Sequence, residues 1–176
     1  NNDPTFSQLL ANPADIFVND AFSTSHRIHA SVVGIAQRLP SYPGFLLERE
    51  VMAFRKVLKH PKRPLVGIVG GAKISTKMAV IANLLRKFDV LLLGGAMANT
   101  FLAARGLRME TSLVETEYLD TARAIEQQAL QTKTRLVLPR AGMMAPDSSG
   151  TCKPEARAVT DIPDGWAMLD IGPETT

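Results

Sequence analysis

The residues best suited to chemistry lie in one run, Gly70-Gly71-Ala72-Lys73-Ile74-Ser75-Thr76-Lys77. An apolar stretch, Leu65 to Val69, ends there; two glycines let the backbone turn, and a helix is predicted to begin near Ser75. The start of a helix presents unpaired N–H groups and a partial positive charge, which suits a phosphate. Lysine is unfavourable in that first turn because the helix dipole repels it. Lys73 and Lys77 stand four residues apart, a spacing that predicts one shared helical face. Paired cations in that place make sense if an anion shares them. Two solvated lysines beside an ordinary strand–helix turn would leave the same trace, and the spacing alone does not choose. The run is not Gly-x-x-x-x-Gly-Lys-Ser/Thr, and no Gly-x-Gly-x-x-Gly occurs in the chain.

A second glycine break, Gly94-Gly95-Ala96, follows the apolar run Val90 to Leu93. Adjacent strands that end in small residues open a crevice at the carboxyl edge of a parallel sheet, where ligands bind in such folds. Either pair taken singly also suits plain helix–strand packing; two in register favour a flat ligand such as a purine lying on exposed backbone. A third constellation runs from Asn19 through Asp20, Ser23, Ser25, His26 and Arg27 to His29. Arg27 can fork onto a carboxylate or phosphate. His26 and His29 lack nearby ligands to complete a metal site and read as polar residues that tie the loop. Asp170, near the end of the last apolar run, is a further candidate for the crevice.

The elements that must position these residues alternate. Asp3-Pro4 opens a short helix, and Ile16 to Val18 reads as the one strand of the first 40 or so residues. Leu47, Val51, Phe54 and Leu58 mark a long helix between Pro43 and His60, with Pro61 and Pro64 barring extension. Then come the strand 65–69, a helix striped by Met78, Ile81, Leu85 and Phe88, and the strand 90–93. A helix through Tyr118, Ala122, Ile125 and Ala129 follows, then the strands 135–138, 158–162 and 166–171. Apolar strands alternating with helices predict an α/β fold, a Rossmann-like parallel sheet with helices on both faces. The first stretch has too little apolar material for a core of its own and reads as the end of something larger.

Composition narrows the function. Of 176 residues 45% are hydrophobic and 21% charged, as in a soluble globular protein, and disorder or a fibrous repeat is excluded. Twenty basic residues against 17 acidic leave +3, with no concentrated basic face, so no nucleic-acid partner is expected. One cysteine, Cys152, excludes an internal disulfide and a cysteine-rich zinc site. No apolar run approaches a membrane span, and the opening residues lack a signal-peptide pattern, so a cytoplasmic location without membrane contact is expected.

Taken in order, five segments resemble the phosphoglycerate kinase family. They are Phe17-Val18-Asn19-Asp20-Ala21-Phe22-Ser23-Thr24-Ser25-His26-Arg27-Ile28-His29-Ala30-Ser31, then Gly44-Phe45-Leu46-Leu47-Glu48-Arg49-Glu50, then Gly70 to Lys77, then Gly94 to Leu102, and finally Asp164-Gly165-Trp166 with Leu169-Asp170-Ile171-Gly172-Pro173. The resemblance implies a partial two-lobed kinase fold. Residues 1–41 would be the C-terminal part of the substrate-binding lobe, 42–60 the interdomain helix and 61–176 the N-terminal part of the nucleotide-binding lobe. It implies phosphoryl exchange between 1,3-bisphosphoglycerate and ADP, giving 3-phosphoglycerate and ATP in glycolysis, by a monomer.

By the same resemblance Arg27 contacts the phosphoglycerate, and Lys77 reaches the transferring phosphoryl group; these two are the implied catalytic residues. Gly71, Ala72, Lys73, Lys77, Gly95 and Ala96 are implied to bind nucleotide. Mg2+ accompanies ADP or ATP, with its protein ligand outside this sequence and no metal ligand within it. Ala96 stands where the family usually has a third glycine, Ala167-Met168 replaces the common Met-Gly, and Pro139-Arg140-Ala141-Gly142 lacks an expected Asp. The family's opening substrate loops and closing Gly-Gly-Asp-Thr loop are not in the sequence, so the chain reads as a middle segment, expected to be inactive alone. The alternative is a nucleotide-binding module without catalysis.

Overall fold

Asp3 opens the first helix, α1 (Pro4–Ala11): its carboxylate accepts from the Phe6 N–H at 2.7 Å, and Pro4 fills a first-turn position. The structure is a computed structural model that describes residues 2–176. It divides into two compact units, Asn1–Lys62 and Arg63–Thr176.

In the first unit β1 (Phe17–Asn19) pairs in parallel with β2 (Ser41–Pro43). The sequence predicts only one strand here, because Ser-Tyr-Pro carries no β-rich pattern and β2 exists only through its pairing. A π-helical turn, Ala30–Gly34, packs on α1, and a Cβ at Gly34 would run into the Ser7 side chain. The long helix arrives as expected, α2 (Phe45–Lys59). Its N-cap, Gly44, has no side chain to offer, so Asp20 supplies the cap from a distance and accepts from the Leu47 N–H at 2.8 Å. Phe22 stacks on Phe54 with ring centroids 5.4 Å apart, which ties the Asp20–Arg27 loop to the same helix. The predicted apolar stripe of α2 is not a buried one: Phe54 is 53% and Leu58 44% exposed.

The second unit holds the main core. Strands β3 (Val66–Gly70), β4 (Val90–Gly94) and β5 (Arg135–Val137) form a parallel sheet in the order β3-β4-β5. Helices α3 (Met78–Leu84), α4 (Ala96–Ala104) and α5 (Leu119–Thr132) connect and cover them. Asp89 anchors the start of the sheet. It accepts from Arg63 at 2.8 Å and from the Leu65 N–H at 2.5 Å, and these bonds, the Arg63 one foremost, hold its carboxyl below the ordinary aspartate value.

Helix α4 is the one the sequence does not reveal. Met97, Ala98, Asn99, Thr100, Phe101, Leu102 and Ala104 are all buried, so the segment is apolar or small all round and has no stripe to detect. The last three strands also differ from expectation. β6 (Ala141–Ala145), β7 (Glu155–Ala158) and β8 (Ala167–Ile171) make a separate antiparallel sheet, in the order β7-β6-β8. β7 ends at the residue where the predicted strand 158–162 begins, and β6, with its Gly142 and two methionines, carries no pattern that predicts it. Among the described residues no helix is long and apolar enough to cross a membrane.

Phe101 is fully buried at the centre of this core. Phe101→Ala should therefore cost about 3–5 kcal/mol in denaturant unfolding. A cost below about 1 kcal/mol would show that α4 is not the core helix.

Candidate functional site

Because β3 and β4 are parallel with Gly70 opposite Gly94, both glycine breaks leave the carboxyl edge of the sheet side by side. Gly71 has φ +147° and Gly95 φ +66°, backbone that side chains oppose. The two turns touch through their main chains. A Cβ on Gly95 would lie 2.9 Å from the Gly71 carbonyl oxygen and 3.0 Å from its nitrogen. The same carbonyl accepts from the Met97 N–H at 2.9 Å. The predicted crevice of small residues is therefore a backbone-on-backbone contact.

The lysines sit differently from the sequence expectation. The helix begins at Met78, not near Ser75, and Lys77 is its N-cap residue. Residues 74–77 are spent in turns instead: the Lys77 N–H donates to the Ile74 carbonyl at 2.9 Å, and Thr76 Oγ1 donates to the Lys73 carbonyl at 3.2 Å. Lys73 lies exposed in the loop before the helix, so the two lysines do not share a helical face. Lys77 folds back over the first turn, where its Cε would meet a Cβ on Gly71 at 2.9 Å. Ala72 is exposed beside it, and Ala96 is half-buried as the first residue of α4.

Sequence reasoning missed Glu115, which fixes this loop from far along the chain. Its carboxylate accepts from the Ile74 N–H at 2.5 Å, the Ser75 N–H at 3.3 Å and Ser75 Oγ at 2.8 Å. Burial pushes its pKa up. The bonds from Ser75 and Ile74 and the nearby Lys73 charge outweigh that and hold the carboxyl below its ordinary value of 4.5. Glu115 is itself pinned, since its N–H donates to the buried Thr100 Oγ1 at 3.1 Å. No local pattern marks a residue whose partners lie 40 positions away.

Beside Gly95 a slot too narrow to admit a water molecule is lined by Asn99, Met168, Leu169 and Asp170. The expected approach of Asp170 to the crevice is thus present. Met168 is 6% exposed, its N–H donates to Ser112 Oγ at 2.9 Å, and its side chain packs in the core against Gly142. A larger cavity, about 500 Å3, is lined by Arg105, Arg135, Arg140, Leu138 and Val159, with none of the glycine-turn residues. Volume is a poorer guide than chemistry here, because the smaller slot is the one that meets the turns.

Arg27 belongs to the first unit, exposed just after the Phe22–Thr24 turn. Its loop is internally tied: Asn19 Oδ1 accepts from the Ala21 N–H at 3.0 Å, and Asn19 Nδ2 donates to Ser25 Oγ at 3.1 Å. His26 is exposed and His29 half-buried. Among the described residues no group of three or more His, Cys, Asp or Glu side chains is placed to hold a metal ion.

A parallel α/β unit with twin glycine turns and a lysine folded over one of them defines a class of proteins that bind ligands at the sheet's carboxyl edge. The phosphoglycerate kinase family model matches residues 1–176, and the chain belongs to that family. It is 48% identical over 174 residues to the phosphoglycerate kinase of Moorella thermoacetica and 49% to that of Granulibacter bethesdensis, covering 99% of this chain and 44% of each relative. Among solved structures it resembles phosphoglycerate kinase from Coxiella burnetii, with TM-score 0.82 and 38% identity. The Pyrococcus horikoshii enzyme matches with TM-score 0.79 and 26% identity; 99% of this chain and 46% of each solved chain are covered. The chain thus spans less than half the length of the relatives it matches.

Two outcomes follow from the geometry. Gly95→Ala combines left-handed strain with a backbone collision and should cost at least about 1–3 kcal/mol in thermal unfolding; an unchanged melting temperature would contradict the contact. Glu115 has a folded pKa below its unfolded one. Its stabilisation of the loop is complete above the ordinary glutamate range and is lost as pH falls through the depressed folded value. The Ile74 and Ser75 amide resonances should titrate with a midpoint below 4.5 and lose that transition in Glu115→Gln. A midpoint at or above 4.5 would refute the clamp.

Proposed function

We propose that this chain carries the nucleotide side of phosphoglycerate kinase chemistry and part of its phosphoglycerate side. Residues 61–176, the N-terminal part of the nucleotide-binding lobe, hold ADP or ATP, 42–60 form the interdomain helix, and 1–41 are the C-terminal part of the substrate-binding lobe. The observation that supports this most is the Lys77 amine arm folded over the Gly71 turn, with Gly71 locked against Gly95. That arrangement leaves the Lys77 side chain and turn backbone together at a strand–helix junction, where phosphate oxygens are best received.

In the reaction a terminal oxygen of ADP attacks the acyl phosphate of 1,3-bisphosphoglycerate. The new phosphorus–oxygen bond forms as the bond to the carboxyl oxygen breaks, and 3-phosphoglycerate leaves as a carboxylate. Such transfers ask the protein for positioning and charge stabilisation. Lys73 lies along the nucleotide phosphates, Lys77 meets the moving phosphoryl group, Arg27 takes the phosphoglycerate, and Gly71, Ala72, Gly95 and Ala96 line the nucleotide site. Mg2+ would accompany ADP or ATP on the nucleotide's phosphates, neutralising their charge, with its protein ligand outside this chain. The working protein is a cytoplasmic monomer of the glycolytic route. The second reading, a nucleotide-binding module without catalysis, shares the turns but gives Arg27 no task.

Calorimetry with magnesium-ADP at millimolar concentration should show weak binding to the 176-residue chain, lost in Lys73→Ala/Lys77→Ala. Absence of heat and of any melting shift would count against a nucleotide site. A coupled assay of this chain alone should stay at the no-enzyme blank. In a chain extended to its relatives' length, Lys77→Ala should lower kcat about 10²-fold or more, the scale of losing one preorganised electrostatic donor. Arg27→Ala should instead raise the KM for phosphoglycerate. Wild-type turnover in Lys77→Ala would sink the phosphoryl-transfer role.

A further inference from the structure

Strand β5 ends one side of the parallel sheet, since in the order β3-β4-β5 it pairs with β4 alone. The Arg135 N–H turns inward and donates to the Asp89 carbonyl at 2.9 Å, with Arg135 opposite Val90 and Val137 opposite Leu92. Main-chain groups alternate sides along a strand, so the N–H and C=O of Leu136 point away from the sheet. No main-chain or side-chain group of the described residues bonds them there, nor the Leu138 N–H one step further on.

The same run lines the larger cavity, about 500 Å3, to which every residue from Arg135 to Arg140 contributes. Leu102 and Val159 add apolar wall. Arg105, also lining it, is paired with Glu126 at 2.7 Å. Arg135 and Arg140 have no carboxylate within ion-pair distance among the described residues, and both are exposed. Uncompensated positive charge, an apolar wall and an open strand edge therefore coincide. A small anion would use the arginines and leave the edge unpaired, and a nucleic-acid backbone would leave the apolar wall bare. A second copy of β5 laid on the first would set arginines against arginines, which disfavours pairing.

We propose that the free edge of β5 is a docking groove for an extended acidic peptide segment with apolar residues at alternate positions, which adds as a strand beside Leu136. Main-chain bonds to Leu136 fix the segment, as in other strand additions to sheet edges. Its apolar side chains cover Leu102, Leu138 and Val159, and its carboxylates meet Arg135 and Arg140. The cavity shares no residue with the glycine turns, so docking is independent of the nucleotide reading. Charges on an edge strand also serve simply to keep other strands away, and that role alone entails no peptide binding.

The probe is a short fluorescein-labelled peptide of alternating aspartate and valine, titrated into the 176-residue chain and followed by fluorescence anisotropy. Binding should saturate below about 1 mM. Asparagine in place of aspartate should weaken it about fivefold or more, as should Arg135→Gln/Arg140→Gln, the scale of losing two partly exposed charge pairs. In the unsubstituted protein the Leu136 and Leu138 amide resonances should shift furthest, and N-methylation of the peptide backbone should abolish binding; neither readout depends on a variant folding. Excess magnesium-ADP should leave the peptide bound. No binding, equal binding of the asparagine or N-methylated peptide, or equal displacement by an oligothymidylate of the same charge would overturn the inference. So would loss of binding in a chain extended to its relatives' length, since the rest of the protein would then cover the groove.

Discussion

The structure of the second unit turns on a contact between two pieces of main chain. Gly95 can lie against Gly71 only because Gly95 has no side chain, and the Met97 N–H closes the contact onto the Gly71 carbonyl. The parallel register of β3 and β4 brings the two turns level, and the positive φ values at both turns follow from the need to leave the sheet without diverging. Any side chain at Gly95 would push the turns apart, and Lys77 would lose the floor on which its arm lies. Placement of charge thus depends first on the absence of side chains.

Buried polar groups on α4 extend this constraint outward. Asn99 holds the Leu113 carbonyl and Thr100 receives the Glu115 N–H, so a helix packed on all sides fixes the path of residues 113–115. Glu115 then grips the main chain of Ile74 and Ser75. The loop that carries Lys73 has few apolar anchors of its own beyond the buried Ile74, and it is ordered by this borrowed carboxylate. A lost charge on Glu115 would free the loop without touching the core. In the first unit Asp20 plays a comparable part, capping α2 from the loop that presents Arg27.

Much of this arrangement is legible in local sequence pattern. The apolar runs ending in Gly70-Gly71 and Gly94-Gly95 mark β3, β4 and the paired turns at their carboxyl ends, and Asp3-Pro4 marks α1. What escapes such a reading depends on partners distant in sequence. Helix α4 shows no stripe because every face is covered, and β2 and β6 gain their identity from pairing rather than from their own residues. The start of α3 falls later than the pattern predicts because Ser75, a good capping residue, gives its hydroxyl to Glu115, so the helix waits until Lys77. Asn99 and Glu115, the residues that organise the site from behind, look like ordinary polar positions until their partners are seen.

The central claim is that the twin turns form a ready-made nucleotide phosphate site within this chain. The most direct test is to add magnesium-ADP to nitrogen-15-labelled protein and follow the amide resonances. The account predicts that Gly71, Ala72, Lys73, Gly95, Ala96 and Met97 shift first and furthest, with Arg105, Arg135 and Arg140 around the larger cavity unmoved. Shifts centred on those arginines, with the glycine turns silent, would contradict it.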